Sequence, residues 1–99
     1  MTATAETTAQ IINKKGLHAR AAAKFVKTVA AFSAKVTVVK KGDINAADSE
    51  AIDGGDILDL LMLGADPTSK LYITAEGEQA QEVINALQQL IDDKFGEGE

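Results

Sequence analysis

The sequence predicts an α+β domain with a four-stranded antiparallel sheet covered on one face by three helices, in the order β-α-β-β-α-β-α. Two segments, 19–31 and 78–94, repeat apolar residues at helical spacing. A third, 57–63, is a short apolar run between Asp56 and Gly64, residue types that open and close helices. Short strand-like runs bounded by turn residues lie between them. Each helix has one apolar stripe to bury, and a sheet with helices on one side buries all three. Element order alone also suits a ferredoxin-like domain with an extra helix.

Ala9-Gln10-Ile11-Ile12-Asn13 reads as the first strand and Lys14 to Leu17 as the loop after it. In the first helix Ala22, Phe25, Val26 and Val29 form the inward stripe, while Arg20, Lys24 and Lys27 share the opposite face. Lys35 to Lys40 is β-branched and reads as a strand. Gly42-Asp43 supplies a turn, and Ile44-Asn45-Ala46 a short returning strand. Ala47 to Gly55 is polar and acidic and reads as a loop. Asp56 caps a short helix, Ile57 to Leu63, whose Leu60 and Leu63 turn inward. Asp66-Pro67-Thr68-Ser69 is a turn and Lys70 to Thr74 the last strand. Ala80, Val83, Ile84, Leu87, Leu90 and Ile91 mark the final helix, and Gly96 to Glu99 are expected to fray.

Ninety-nine residues suit one domain, 1–99, able to bury a core without staples. The absence of cysteine excludes disulfides, thiol catalysis and cysteine-ligated metal, and a single histidine argues against a histidine zinc site; no metal and no cofactor are expected. No apolar run approaches the ~20 residues of a membrane span, and Met1 to Thr8 lacks the features of a signal peptide. Cytoplasmic location, without membrane insertion, is therefore expected. A net charge of −5 argues against nucleic-acid binding. The charge is uneven: Lys14, Lys15, Arg20, Lys24 and Lys27 surround the histidine, and no acidic residue lies between Lys14 and Lys41. Such a basic patch on an acidic chain suits an anionic partner or a phosphate group.

The one histidine, His18, lies in Lys15-Gly16-Leu17-His18-Ala19-Arg20-Ala21-Ala22, at the predicted start of a helix. A helix N-terminus offers unpaired backbone N–H groups and a partial positive charge, and anions settle there. Imidazole is a nucleophile near neutral pH. A nucleophile, a cation and free N–H donors together suit transient capture of a phosphoryl group. A lone histidine is more often a surface or structural residue, and lysines on a helix face more often only solvate it.

Gly16-Leu17-His18-Ala19-Arg20 resembles the signature of HPr, the histidine-containing phosphocarrier family of the bacterial phosphotransferase system. The resemblance implies an open-faced β-sandwich and a carrier rather than a turnover enzyme. It further implies that His18 accepts phosphate on Nδ1 from phospho-Enzyme I and passes it to a sugar-permease or regulatory phosphoacceptor. Arg20 would then stabilise the phosphoryl group, with backbone N–H groups at Ala19 and Arg20 binding its oxygens. Lys24 and Lys27 would steer the partner, and the apolar Ile57, Leu58 and Leu61 would form its docking surface. A monomer is expected. One departure from the family is Ala21, where proline usually follows the arginine; alanine still favours the helix.

A second stretch, Asp56-Ile57-Leu58-Asp59-Leu60-Leu61-Met62-Leu63-Gly64, is similar to the family segment whose leading serine is phosphorylated by a regulatory kinase. Asp56 stands at that position, either as a plain helix cap or as a permanent mimic of the phosphorylated serine. The separation of Asn45 from Asp56 implies an insertion within Ala47 to Gly55, an acidic and mobile loop in which Ser49 could serve as a displaced phosphorylation site. Two other functions compete: a regulatory, nitrogen-type relay using the same chemistry outside sugar uptake, and an interaction module that docks through the acidic loop and the apolar patch. A kinase or hydrolase is disfavoured, since the chain has no nucleotide loop, metal cluster or second base.

Overall fold

A computed structural model describes residues 3–42 and 46–97. The chain runs β1 (Ala3–Gln10), α1 (Ala19–Ala30), β2 (Lys35–Lys40), β3 (Ile52–Asp53), α2 (Ile57–Leu63), β4 (Lys70–Gly77) and α3 (Ala80–Asp92), followed by a 3-10 turn (Lys94–Gly96). The four strands form one sheet in the order β1-β4-β2-β3, with every neighbouring pair antiparallel. β4 is therefore inserted between β1 and β2, pairing Ala9 with Leu71 on one side and Val38 with Ile73 on the other. This order places β1 at an edge and decides against the ferredoxin-like arrangement, in which the first strand is interior.

The core lies between the sheet and the helices. Alternation along β4 turns Leu71, Ile73 and Ala75 inward, and β2 adds Val36 and Val38. Against them pack Phe25 and Val29 of α1, Leu60 and Leu63 of α2, and Val83, Ile84, Leu87 and Ile91 of α3. Val26 and Leu90 are only partly buried at the margin. Tyr72 and Thr74 face the open side of the sheet, where the Tyr72 hydroxyl donates to Glu6 and the carboxylate holds the phenol pKa above its usual value.

α1, β2 and α2 lie where the sequence places them, to within a residue. The last strand runs on past Thr74 to Gly77, paired along its length with β1, and four further expectations are corrected. The first strand is Ala3–Gln10 rather than Ala9 to Asn13. Its inward residues, Ala5, Thr7 and Ala9, are small or polar because α3 packs closely on it, with Thr7 Oγ1 hydrogen-bonded to Gln88 at 2.8 Å. Ile11 continues into the core after the strand has ended, and Ile12 is exposed.

The returning strand expected at Ile44 to Ala46 falls mainly on residues outside those described. The strand that pairs with β2 is Ile52–Asp53, through Thr37 with Asp53 and Val38 with Ile52. The stretch expected to be a mobile acidic loop is thus partly strand and partly pinned. Ser49 N–H donates to the Lys40 carbonyl at 2.9 Å, and Ser49 Oγ accepts from Lys40 N–H at 2.8 Å. Asp48 accepts from Lys41 Nζ and from Gly42 N–H, which hold its carboxyl below the usual carboxylate range. Finally, α3 ends at Asp92, and Gly96 and Glu97 do not fray, while Gly98 and Glu99, expected to fray with them, lie outside the described residues. The 3-10 turn buries Phe95 completely, and Glu97 N–H donates to the Lys94 carbonyl at 3.1 Å.

Candidate functional site

The loop joining β1 to α1 is shaped by Gly16. Its φ of +70° lies in the left-handed region, and a Cβ there would stand 2.6 Å from the Ala65 carbonyl oxygen. The next residue hydrogen-bonds to that oxygen, Leu17 N–H to Ala65 O at 2.9 Å, and Leu17 is buried. The loop is therefore pressed onto the chain leaving α2. His18 follows as the N-cap of α1, with extended backbone (φ −81°, ψ −178°).

The imidazole is held from both sides. Nδ1 accepts a hydrogen bond from Arg20 N–H at 3.3 Å, so it takes the place an Asp or Ser side chain usually fills at a cap. Nε2 is hydrogen-bonded to the Glu97 carboxylate. A ring that accepts at Nδ1 and donates at Nε2 is the neutral Nε2–H tautomer, with its Nδ1 lone pair aimed at the helix N-terminus. The ring remains partly open, its side chain 25% exposed, against 7% for Glu97. The second Glu97 oxygen accepts from Asn13 Nδ2 at 2.8 Å, and the same amide donates to Gly16 O at 2.8 Å. Asn13 is fully buried, and its Oδ1 has no partner. These bonds, Asn13 first and His18 after it, hold the Glu97 carboxyl below its usual pKa despite partial desolvation, with a further pull from Lys15.

Ala19 and Arg20 are exposed on the first turn of α1, and among the described residues the Arg20 guanidinium makes no hydrogen bond or ion pair. Lys27 is likewise exposed. Lys24 is not a free cation: its Nζ donates to the Phe95 carbonyl and ties α1 to the 3-10 turn. Asp56 caps α2, accepting from Leu58 N–H at 2.9 Å and Asp59 N–H at 3.2 Å. Leu60 and Leu63 are buried, while Ile57, Leu58 and Leu61 are exposed on a helix that packs against α1. Met62, 85% exposed, and Ile12, 47% exposed, add to the exposed apolar surface. Ser49 Oγ also donates to Glu50 O.

Sequence reasoning missed Asn13, Glu97, Met62 and Ile12. Met62 was within reach of it, since a seven-residue apolar helix cannot bury every side chain. Nothing in the sequence marks Glu97, which lies 79 positions from the histidine it touches. Among the described residues, no group of three or more His, Cys, Asp or Glu could hold a metal ion, and no helix is long and apolar enough to cross a membrane.

An open-faced α/β sandwich with this element order is the architecture of small phosphocarrier proteins. The family model described as "PTS HPr component phosphorylation site" matches residues 5–93. The phosphocarrier protein HPr of Pseudomonas aeruginosa is 43% identical over 89 residues, an alignment spanning 90% of this chain and 92% of that one. Among solved structures, an HPr of Thermoanaerobacter tengcongensis superposes with a TM-score of 0.80 at 38% identity, covering 94% of this chain and 97% of the other. An HPr of Bacillus anthracis does so with a TM-score of 0.78 at 29% identity, covering 90% and 98%. The chain belongs to the HPr family, the phosphocarriers of the phosphotransferase system.

Proposed function

We propose that this protein carries a phosphoryl group on Nδ1 of His18, taken from the phosphohistidine of Enzyme I and handed to a downstream acceptor of the phosphotransferase system. The observation that carries the reading is the cap geometry: Nδ1 holds its lone pair at the start of a twelve-residue helix, within reach of backbone N–H groups. In the transfer, the Nδ1 lone pair forms a bond to phosphorus as the donor's P–N bond breaks and its electron pair returns to the donor ring. The phosphoryl oxygens then replace Nδ1 as acceptor for Arg20 N–H and accept from Ala19 N–H as well. The Arg20 guanidinium, free of other partners among the described residues, adds a charge-assisted bond. Transfer of this kind needs positioning and charge stabilisation and little else. The protein is thus a carrier that returns to its starting state by giving up the group, rather than an enzyme with its own substrate.

The exposed Ile57, Leu58 and Leu61 beside α1 support docking of partners next to the histidine, and the exposed Lys27 supports steering of an anionic partner surface. Sugar uptake and a regulatory relay both use this chemistry, and in either role the protein would act in the cytoplasm. Asp56 occupies the regulatory serine position and acts as a cap that no serine kinase can modify. The test is incubation with Enzyme I and phosphoenolpyruvate, followed by mass measurement before and after acid. An acid-labile gain of one phosphoryl group, lost in His18→Ala, is expected. A gain that survives acid or persists in His18→Ala refutes the assignment.

A further inference from the structure

We propose that Glu97 is a positioning residue for this transfer: it keeps the proton of His18 on Nε2, which selects Nδ1 as the nucleophile and later makes Nδ1 a competent leaving group. The proposal rests on the phosphocarrier reading and deepens it.

Three observations support it. First, both carboxylate oxygens are committed, Oε2 to His18 Nε2 and Oε1 to Asn13 Nδ2, so the carboxylate cannot swing away without leaving one N–H of the buried Asn13 amide unpaired, the other being held by Gly16 O. Second, the backbone that delivers Glu97 is anchored. Phe95 is wholly buried, Lys24 Nζ bonds its carbonyl, and Lys94 and Phe95 both adopt left-handed φ of 55° and 56°. Two consecutive non-glycine residues in that region persist only where surrounding contacts hold them. Third, the opposite side of the ring agrees, because a backbone N–H donates to Nδ1 and a proton there would oppose it.

The chemistry then follows from the proton's position. When Nδ1 binds phosphorus, the Nε2–H stays in place and the ring becomes cationic. The Glu97 carboxylate is the counter-charge. On onward transfer the P–N bond breaks, its electrons return to Nδ1, and the ring leaves as neutral imidazole. Without the Nε2 proton it would leave as imidazolate, a far poorer leaving group. Among the described residues, the cations carried by the elements around the ring act against that proton: Lys15 in the loop, Arg20 and Lys24 on α1, and Lys94 on the 3-10 turn. The carboxylates of α2 are engaged elsewhere, Asp56 in its own cap and Asp59 with Asp53 N–H. Glu97 is the carboxylate in contact with the ring.

The experiment compares wild type, Glu97→Gln and Glu97→Ala by NMR. In the unphosphorylated proteins, imidazole nitrogen shifts report the tautomer; after phosphorylation by Enzyme I and phosphoenolpyruvate, the phosphorus resonance is followed against pH. Wild type should show Nε2–H alone, and Glu97→Ala a mixture. The phospho-ring should lose its proton about one pH unit lower in Glu97→Gln, roughly a tenfold loss in proton affinity. Above that midpoint, phosphoryl release should slow about as much. A residue that only braced the fold would lower the melting temperature of both variants and leave ring midpoint and tautomer unchanged; that result overturns the proposal. Failure of wild type to accept phosphate at His18 overturns instead the phosphocarrier reading, and the tautomer measurement then still judges the Glu97 contact by itself.

Discussion

Replacing Gly16 by alanine should damage the loop that presents His18, by an amount that can be separated into two parts. Gly16 and Gly64 have nearly the same φ, +70° and +67°, but different surroundings. A Cβ at Gly64 meets nothing within 4 Å, so Gly64→Ala costs only the left-handed conformation, about 1–2 kcal/mol. A Cβ at Gly16 would stand 2.6 Å from Ala65 O and 3.1 Å from Pro67 Cδ. The nearer atom is a backbone oxygen already bonded to Leu17 N–H, so the loop must move or that bond must break. Overpacking of this kind adds about 1–3 kcal/mol, so Gly16→Ala should cost about 2–5 kcal/mol in all. In a domain of this size each kcal/mol lowers the melting temperature by about 4–8 °C. The variant should still fold, since small domains have about 5–15 kcal/mol to lose. Urea unfolding with an unchanged slope measures both costs. Phosphoryl transfer should slow in Gly16→Ala and not in Gly64→Ala, because only the first displaces His18. Stability losses that agree within about 0.5 kcal/mol would refute the argument, by showing that the contact with Ala65 is not tight.

Arg20→Ala should slow phosphoryl transfer at every salt concentration, whereas Lys27→Ala should raise the Enzyme I requirement chiefly at low salt; stopped-flow transfer at two ionic strengths distinguishes them. Lys24→Ala should behave differently from Lys27→Ala, lowering stability as well, because it releases the Phe95 carbonyl. Asp56→Ala should cost about 0.5–2 kcal/mol in thermal or urea unfolding through the lost cap, while Asp56→Ser should cost little and restore a hydroxyl for a serine kinase. Leu58→Asp should weaken binding to Enzyme I without changing stability, as measured by calorimetry and thermal unfolding, since that side chain is 66% exposed.

Most of the helical framework was legible from local signals. α1 and α3 follow from apolar residues at helical spacing, and α2 from a cap, an apolar run and a closing glycine. β2 followed from a β-branched run with clear boundaries. β1 was displaced toward its C-terminal end because its inward residues are Ala5, Thr7 and Ala9, and the larger apolar Ile11 and Ile12 lie beyond it. A strand whose core face is small is recognisable only from its partner, here β4 along eight residue pairs. β3 is two residues long and carries no periodicity at all.

His18, Arg20 and the Asp56 cap are properties of a few consecutive residues, because caps and helix termini are built by hydrogen bonds reaching two or three positions along the chain. The sequence by itself therefore determined where an imidazole meets a helix N-terminus, and that Leu60 and Leu63 of α2 turn inward while Ile57, Leu58 and Leu61 turn outward. It could not determine what touches the other side of that imidazole. The contacts of Glu97 with His18 and Asn13, and of Lys24 with Phe95, join residues 71 to 84 positions apart. No local preference acts over such a span; the contacts form because burying Phe95 in the assembled core draws the residues after α3 across the start of α1. Local sequence thus set the contact at Nδ1 of the one histidine, and tertiary packing the contact at Nε2.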